Sequence, residues 1–193
     1  VNLKPQKLGI DLMSISSHKI HGPKGVGALY IRKGARIVPL HYGGEQERKI
    51  RPGTESLPLI CAFAEAVKAL PNIDDQHEKI EELWNYCKEK VLEIPNVYIN
   101  SPDGVLPYIL NISAVGVRSE TMLHYLAESG IYVSSGSACA KGKKSHVLTA
   151  MGLSPERIDS AIRISFSKFN TKDDIDIFAE KLAEGMKNLA KSR

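Results

Sequence analysis

The sequence predicts an α/β or α+β chain, and three observations carry that prediction. Short apolar runs of strand length alternate with longer amphipathic stretches, glycine-rich turns punctuate the first third, and Pro71 interrupts the pattern between the parts. That boundary sets off 1–70 from 71–193.

In the first part, 12–16 and 26–32 are apolar runs joined by a turn-rich connection. A second glycine-rich stretch over 42–53 leads into a helix expected over 57–70, on whose apolar face Cys61 reads as a packing residue. In the second part, Ile73, Ile80, Leu83, Trp84, Cys87, Val91 and Leu92 recur at helical spacing with charge opposite, which makes Cys87 a core residue. Strands are expected over 97–99 and 108–112, then a helix over 120–128 stopped by Gly130, then a strand over 131–133. Pro155 after Ser154 marks a helix start, and 162–166 reads as a strand. Thr171 and Asp174 have capping-box spacing and open a last helix with Ile175, Phe178, Leu182, Met186 and Leu189 on one face.

Composition narrows the function classes. The 42% hydrophobic and 25% charged fractions are those of a folded domain, and no apolar run approaches the ~20 residues of a membrane helix. The net charge of +4 is spread along the chain, which gives no indication of nucleic-acid binding. Cys61, Cys87 and Cys139 form no C-x-x-C pair, so neither a disulfide framework nor a structural metal site is expected, and a reducing, cytoplasmic setting fits best. The chain opens at Val1 without an initiator Met or signal peptide, so it is expected to be trimmed or to begin inside a longer protein.

Two segments carry candidate chemistry. A lysine that condenses with a carbonyl cofactor must be held firmly, stay accessible and lose its proton readily. Lys19 follows a strand end and precedes Gly22, Gly25 and Gly27, while Ser16, Ser17 and His18 offer donors suited to a phosphate. On spacing alone, a turn whose Ser, His and Lys face water is the commoner meaning of such a segment. Cys139 sits among small residues with Lys141, Lys143 and Lys144 behind it, an arrangement that favours the thiolate. By composition an incidental exposed cysteine is as good a reading.

The run Ser17-His18-Lys19-Ile20-His21-Gly22-Pro23-Lys24-Gly25-Val26-Gly27-Ala28-Leu29-Tyr30 resembles the cofactor-lysine segment of the NifS/IscS-like cysteine desulfurases, in the class V aminotransferase group. Residues His41-Tyr42-Gly43-Gly44-Glu45-Gln46-Glu47-Arg48 and Arg51-Pro52-Gly53-Thr54 are similar to two further elements of that family, with Tyr42 in place of a small residue. Ser134-Ser135-Gly136-Ser137-Ala138-Cys139 resembles its catalytic cysteine motif, and Ile162-Arg163-Ile164-Ser165-Phe166 its carboxylate-binding strand.

The resemblance implies the C-terminal part of a pyridoxal-phosphate-dependent transferase of fold type I: the end of the large domain followed by the small C-terminal domain. It implies Lys19 and Cys139 as catalytic residues, with Ser16, Ser17, His18, Lys19 and Thr54 around pyridoxal 5'-phosphate and Arg163 on the substrate carboxylate. It implies conversion of L-cysteine to L-alanine, leaving a persulfide on Cys139 for an acceptor protein in iron–sulfur assembly or tRNA thiolation. A homodimer is expected, because the family's counterpart of Thr54 reaches the other subunit's phosphate. No resident metal is expected, Cys139 being at most a transient iron–sulfur ligand.

The segment between Cys139 and Ser145 is shorter than in the housekeeping enzymes and rich in lysine, which leaves the acceptor open. The family's acidic partner of the cofactor ring and its stacking histidine have no counterpart here, so the isolated chain is expected to be inactive. A selenocysteine lyase or other class V lyase, and a truncated non-catalytic docking or dimerisation fragment, remain the alternatives.

Overall fold

The computed structural model describes residues 3–135 and 145–189. The chain separates into two compact units, Val1–Ile73 and Asp74–Arg193.

In the first unit, β1 (Leu12–Ser16) pairs antiparallel with β2 (Gly27–Ile31), Leu12 facing Ile31 and Ser16 facing Gly27. Gly27 permits this approach, since a Cβ there would lie 2.4 Å from the Ile15 carbonyl oxygen. Helix α1 (Leu57–Lys68) starts with proline in its first turn and carries Leu57, Ile60 and Val67 exposed. None of its residues is buried, and Cys61 is exposed. This corrects the expectation of a packing cysteine: the helix is apolar, but among the described residues nothing buries Cys61.

The second unit holds the core. Helix α2 (Ile73–Leu92) buries Ile80, Leu83, Trp84, Cys87 and Val91, as its periodicity predicts, while Ile73 and Leu92 at its ends are exposed. Strands β3 (Val97–Ile99), β4 (Ile109–Ala114) and β5 (Ala161–Ser165) form an antiparallel sheet in the order β3-β4-β5. Alternation turns Leu110, Ile112, Ile162 and Ile164 into the core, where they join α2, α3 (Ser119–Glu128) and α6 (Lys172–Asn188). The opposite face presents Tyr98, Asn111, Ser113 and Arg163. Trp84 is 8% exposed, its Nε1 donates to the Ile109 carbonyl at 3.1 Å, and Lys88 lies over its ring.

Helix starts follow their cap chemistry. Ser154 accepts from the Arg157 N–H and leads into α5 (Pro155–Asp159), and Thr171 with Asp174 makes the full capping box of α6. A short helix α4 (His146–Ala150), capped by Ser145, has no counterpart among the sequence expectations. The strand expected over 131–133 is also corrected. Gly130 takes φ +76°, and the Ile131 N–H turns back to the Leu126 carbonyl, so the backbone meets β5 only at Ser134.

Burial separates the described cysteines. Cys87 is fully buried, and burial pushes its thiol up to about 12, whereas Cys61 is open to solvent. Brief iodoacetamide treatment near neutral pH is expected to label Cys61 and spare Cys87 until denaturant is added. Peptide mapping checks this, and equal labelling of both would contradict the packing described.

Candidate functional site

The predicted lysine turn is built by the β1–β2 connection. Ser16 is extended, and Ser17–Ile20 forms one turn of 3₁₀ helix closed by His21 in the left-handed region at φ +64°. The Ser17 N–H donates to the Val26 carbonyl at 3.2 Å, and the Gly22 N–H donates to the Ser17 carbonyl at 3.0 Å. A Cβ on Gly22 would lie 2.1 Å from Ser17 Oγ and 3.1 Å from the Ala66 Cβ of α1, so glycine lets the turn rest on the helix.

The four predicted residues of this turn divide by exposure. Ser16, His18 and Lys19 are exposed, whereas Ser17 is fully buried and its hydroxyl has no hydrogen-bond partner among the described residues. Lys19 makes no ion pair or hydrogen bond with a described residue, so its amine stands free at the crest of a rigid turn.

Thr54 is exposed in a loop stiffened by local contacts. The Gly53 N–H donates to Gln46 Oε1 at 3.2 Å, and Arg51 Nη1 donates to the Pro52 carbonyl at 2.9 Å. Glu47, Arg48 and Lys49 are three successive non-glycine residues in the left-handed region, with φ of +46°, +57° and +66°. Such a run is strained and is concentrated by folds at ligand sites and turns. No described hydrogen bond or ion pair joins Thr54 to the lysine turn.

In the second unit the backbone of Arg163 is held from both sides. It faces Asn111 across β4–β5, and it exchanges two hydrogen bonds with Ser134, Arg163 N–H to the Ser134 carbonyl at 2.7 Å and the reverse at 3.2 Å. Arg163 Nε is buried without a partner among the described residues. The Arg157 Nε is likewise buried without one, and a buried donor of a permanent cation calls for an acceptor. Ser134 lies five residues before Cys139, and Ser145, which caps α4 by accepting from the Leu148 N–H, lies six residues after it. Cys139 itself, with Lys141, Lys143 and Lys144, falls outside the described residues.

Sequence reasoning missed Asn111 and Ser134. The only signal for Asn111 is an amide in a strand whose other polar residue is Ser113, and nothing local marks Ser134 as a strand partner. A half-open cavity of about 890 Å³ lies elsewhere in the second unit, with Lys90, Asn96, Asp176 and Lys187 in its wall and none of the predicted residues. At its mouth the Tyr86 hydroxyl and then the Lys90 ammonium hold the Asp176 carboxyl below its ordinary range. This is a surface ion-pair cluster and offers no nucleophile.

Among the described residues no group of three or more His, Cys, Asp or Glu could hold a metal, and no helix is long and apolar enough to cross a membrane.

The cysteine desulfurase IscS of Methanosarcina thermophila is 40% identical over 193 residues, covering 98% of this chain and 48% of that protein. A solved NifS-like protein superposes with a TM-score of 0.85 at 36% identity, over 98% of this chain and 50% of that one. A structure described as SspA in complex with cysteine gives a TM-score of 0.64 at 32% identity, over 88% and 48% of the two chains. The chain thus spans about half the length of the relatives it matches, and its fold is that of NifS-like proteins of fold type I. The profile of the Aminotransferase class-V family matches residues 1–178, and the chain belongs to that family.

Proposed function

We propose that this chain supplies the lysine, the cysteine and the carboxylate anchor of a pyridoxal-phosphate-dependent cysteine desulfurase. The observation that carries the reading is the Lys19 turn, an exposed and unpartnered amine on a backbone fixed by hydrogen bonds and by two glycines. Relatives named cysteine desulfurase, at about 40% identity, support it.

The residues present fit the cofactor. Lys19 would hold its aldehyde carbon, and the exposed Ser16 and His18 beside it would donate to its phosphate. Thr54 would serve a second phosphate, that of another subunit in a homodimer. Buried Ser17 serves the turn that carries Lys19. When bound, the cofactor supplies an electron sink for bonds broken at the substrate.

The chain's own residues account for the rest. Arg163 binds and orients the amino-acid carboxylate through its planar fork. Cys139 attacks the substrate sulfur as thiolate, forming an S–S bond while the C–S bond breaks. The sulfur stays on the enzyme as a persulfide, and alanine leaves. A reducing cytoplasm suits a persulfide of this kind, and an acceptor protein of iron–sulfur assembly or tRNA thiolation then takes the sulfur.

The test is reconstitution with the N-terminal half of a cysteine desulfurase such as the Methanosarcina relative. Alanine release from L-cysteine is expected from the mixture and not from this chain alone, and Cys139→Ala is expected to abolish turnover while leaving the cofactor's absorption. Turnover untouched by Cys139→Ala would sink the proposal.

A further inference from the structure

The sheet face that carries Arg163 also holds a hydrogen-bonded relay whose polarity is fixed from one end. The Arg157 guanidinium can only donate. Its Nη2 bonds the Ile99 carbonyl at 2.7 Å and Asn100 Oδ1 at 2.5 Å. The Asn100 oxygen is thereby committed, and the amide nitrogen of Asn100 donates to Asn111 Oδ1 and to Ser113 Oγ, each at 2.7 Å. The Ser113 hydroxyl, an acceptor there, donates in turn to the Arg157 carbonyl at 2.7 Å. Asn100 and Ser113 are buried, so no water competes for these groups. The consequence falls on Asn111: its side-chain oxygen is engaged, and its NH₂ group has no partner among the described residues.

Asn111 and Arg163 are direct cross-strand neighbours. Their backbone hydrogen bonds point away from each other. The Asn111 N–H donates to Ser101 Oγ at 2.9 Å and its carbonyl accepts from the Asn100 N–H at 2.8 Å, while Arg163 bonds Ser134. Theirs is therefore a non-hydrogen-bonded pair, the closer kind, with Cα atoms about 4.5 Å apart and both side chains on one face. Around them on that face stand Ile109, Ser113, Ala161 and Ser165, none of them acidic. Two sets of donors lie side by side with no carboxylate from this sheet to satisfy them. The complementary ligand is acceptor-only with two oxygens, which describes a carboxylate and not an alcohol or an amine.

We propose that Asn111 is a second binding residue for the substrate carboxylate, its amide donating to one oxygen while Arg163 bonds the other, with the Arg157–Asn100 relay fixing which end of that amide is free. The proposal rests on the reading of Arg163 as an amino-acid carboxylate anchor, and it adds a contact that makes the site selective for a planar anion over a bare negative charge.

The test is a side-chain ¹⁵N titration of the 193-residue chain with sodium acetate and with L-alanine, using L-alaninamide as the carboxylate-free control. The Arg163 Nε–H and Asn111 NH₂ resonances are expected to move along one saturation curve for both carboxylates and to ignore the amide. Asn111→Ala is expected to weaken acetate binding about tenfold, and Asn111→Asp to abolish it by pairing Arg163 internally. If Arg163 responds and Asn111 does not, or if Asn111→Ala binds acetate undiminished, the proposal is overturned while the reading of Arg163 survives. If neither resonance moves, both are overturned.

Discussion

Replacement of Lys19 by alanine is expected to remove the visible absorption that pyridoxal phosphate gains with the reconstituted protein. Alanine release is expected to fall by about a thousandfold or more, the scale of losing a covalent and proton-transferring group. The structure argues that this loss would be chemical and not a failure to fold. The turn is held by Ser17 N–H to Val26, by Gly22 N–H to Ser17 and by the left-handed His21, none of which involves the Lys19 side chain. Trimming an exposed, unpartnered side chain should change stability by less than about 0.5 kcal/mol. A spectrum recorded with added cofactor, before and after L-cysteine, is the measurement. An unchanged band in Lys19→Ala would assign the cofactor elsewhere.

Arg163→Leu is expected to raise the half-saturating L-cysteine concentration of the reconstituted enzyme by about a hundredfold, the scale of unpairing a buried charge. The same change is expected to leave the chain's thermal midpoint unchanged or slightly raised. Those two results together are informative. Arg163 Nε is buried without an acceptor among the described residues, a state that costs about 1–3 kcal/mol, and leucine removes that cost. The backbone bonds to Ser134 and the place in β5 do not depend on the side chain. A residue kept for folding would show the opposite, a lower midpoint with unaltered binding.

Most elements of the fold were legible because their residues obey local rules. The period of Ile80, Leu83, Trp84, Cys87 and Val91 places α2 to the residue, and Thr171 with Asp174 starts α6 by making the capping box that its spacing promises. Local rules fail where the partner is distant. The 131–133 run has strand-like residues, but a helix terminus at Gly130 claims the Ile131 N–H, leaving Ser134 as the single bridge to β5. Cys61 has the apolar sequence neighbours of a core residue on a helix none of whose residues is buried among the described residues.

The site shows the same division. Lys19 and Arg163 were assigned by resemblance alone, since isolated lysines and arginines carry little information. Asn111 was invisible because its role depends on the direction of a relay through Arg157, 46 positions away in sequence by their residue numbers.

Trp84 is the only tryptophan of the chain, and it lies in the second unit, on α2, its indole N–H donating to the carbonyl of Ile109 on β4, two positions before Asn111. Its indole emission is therefore an optical label that nature has placed on one unit alone. Fluorescence will follow the melting of the three-stranded sheet and its helices without contribution from the lysine-bearing unit, whose aromatic signal rests on tyrosine and phenylalanine. A single untagged sample thus yields a folding record of the part that holds Arg163, free of any signal from the part that holds Lys19.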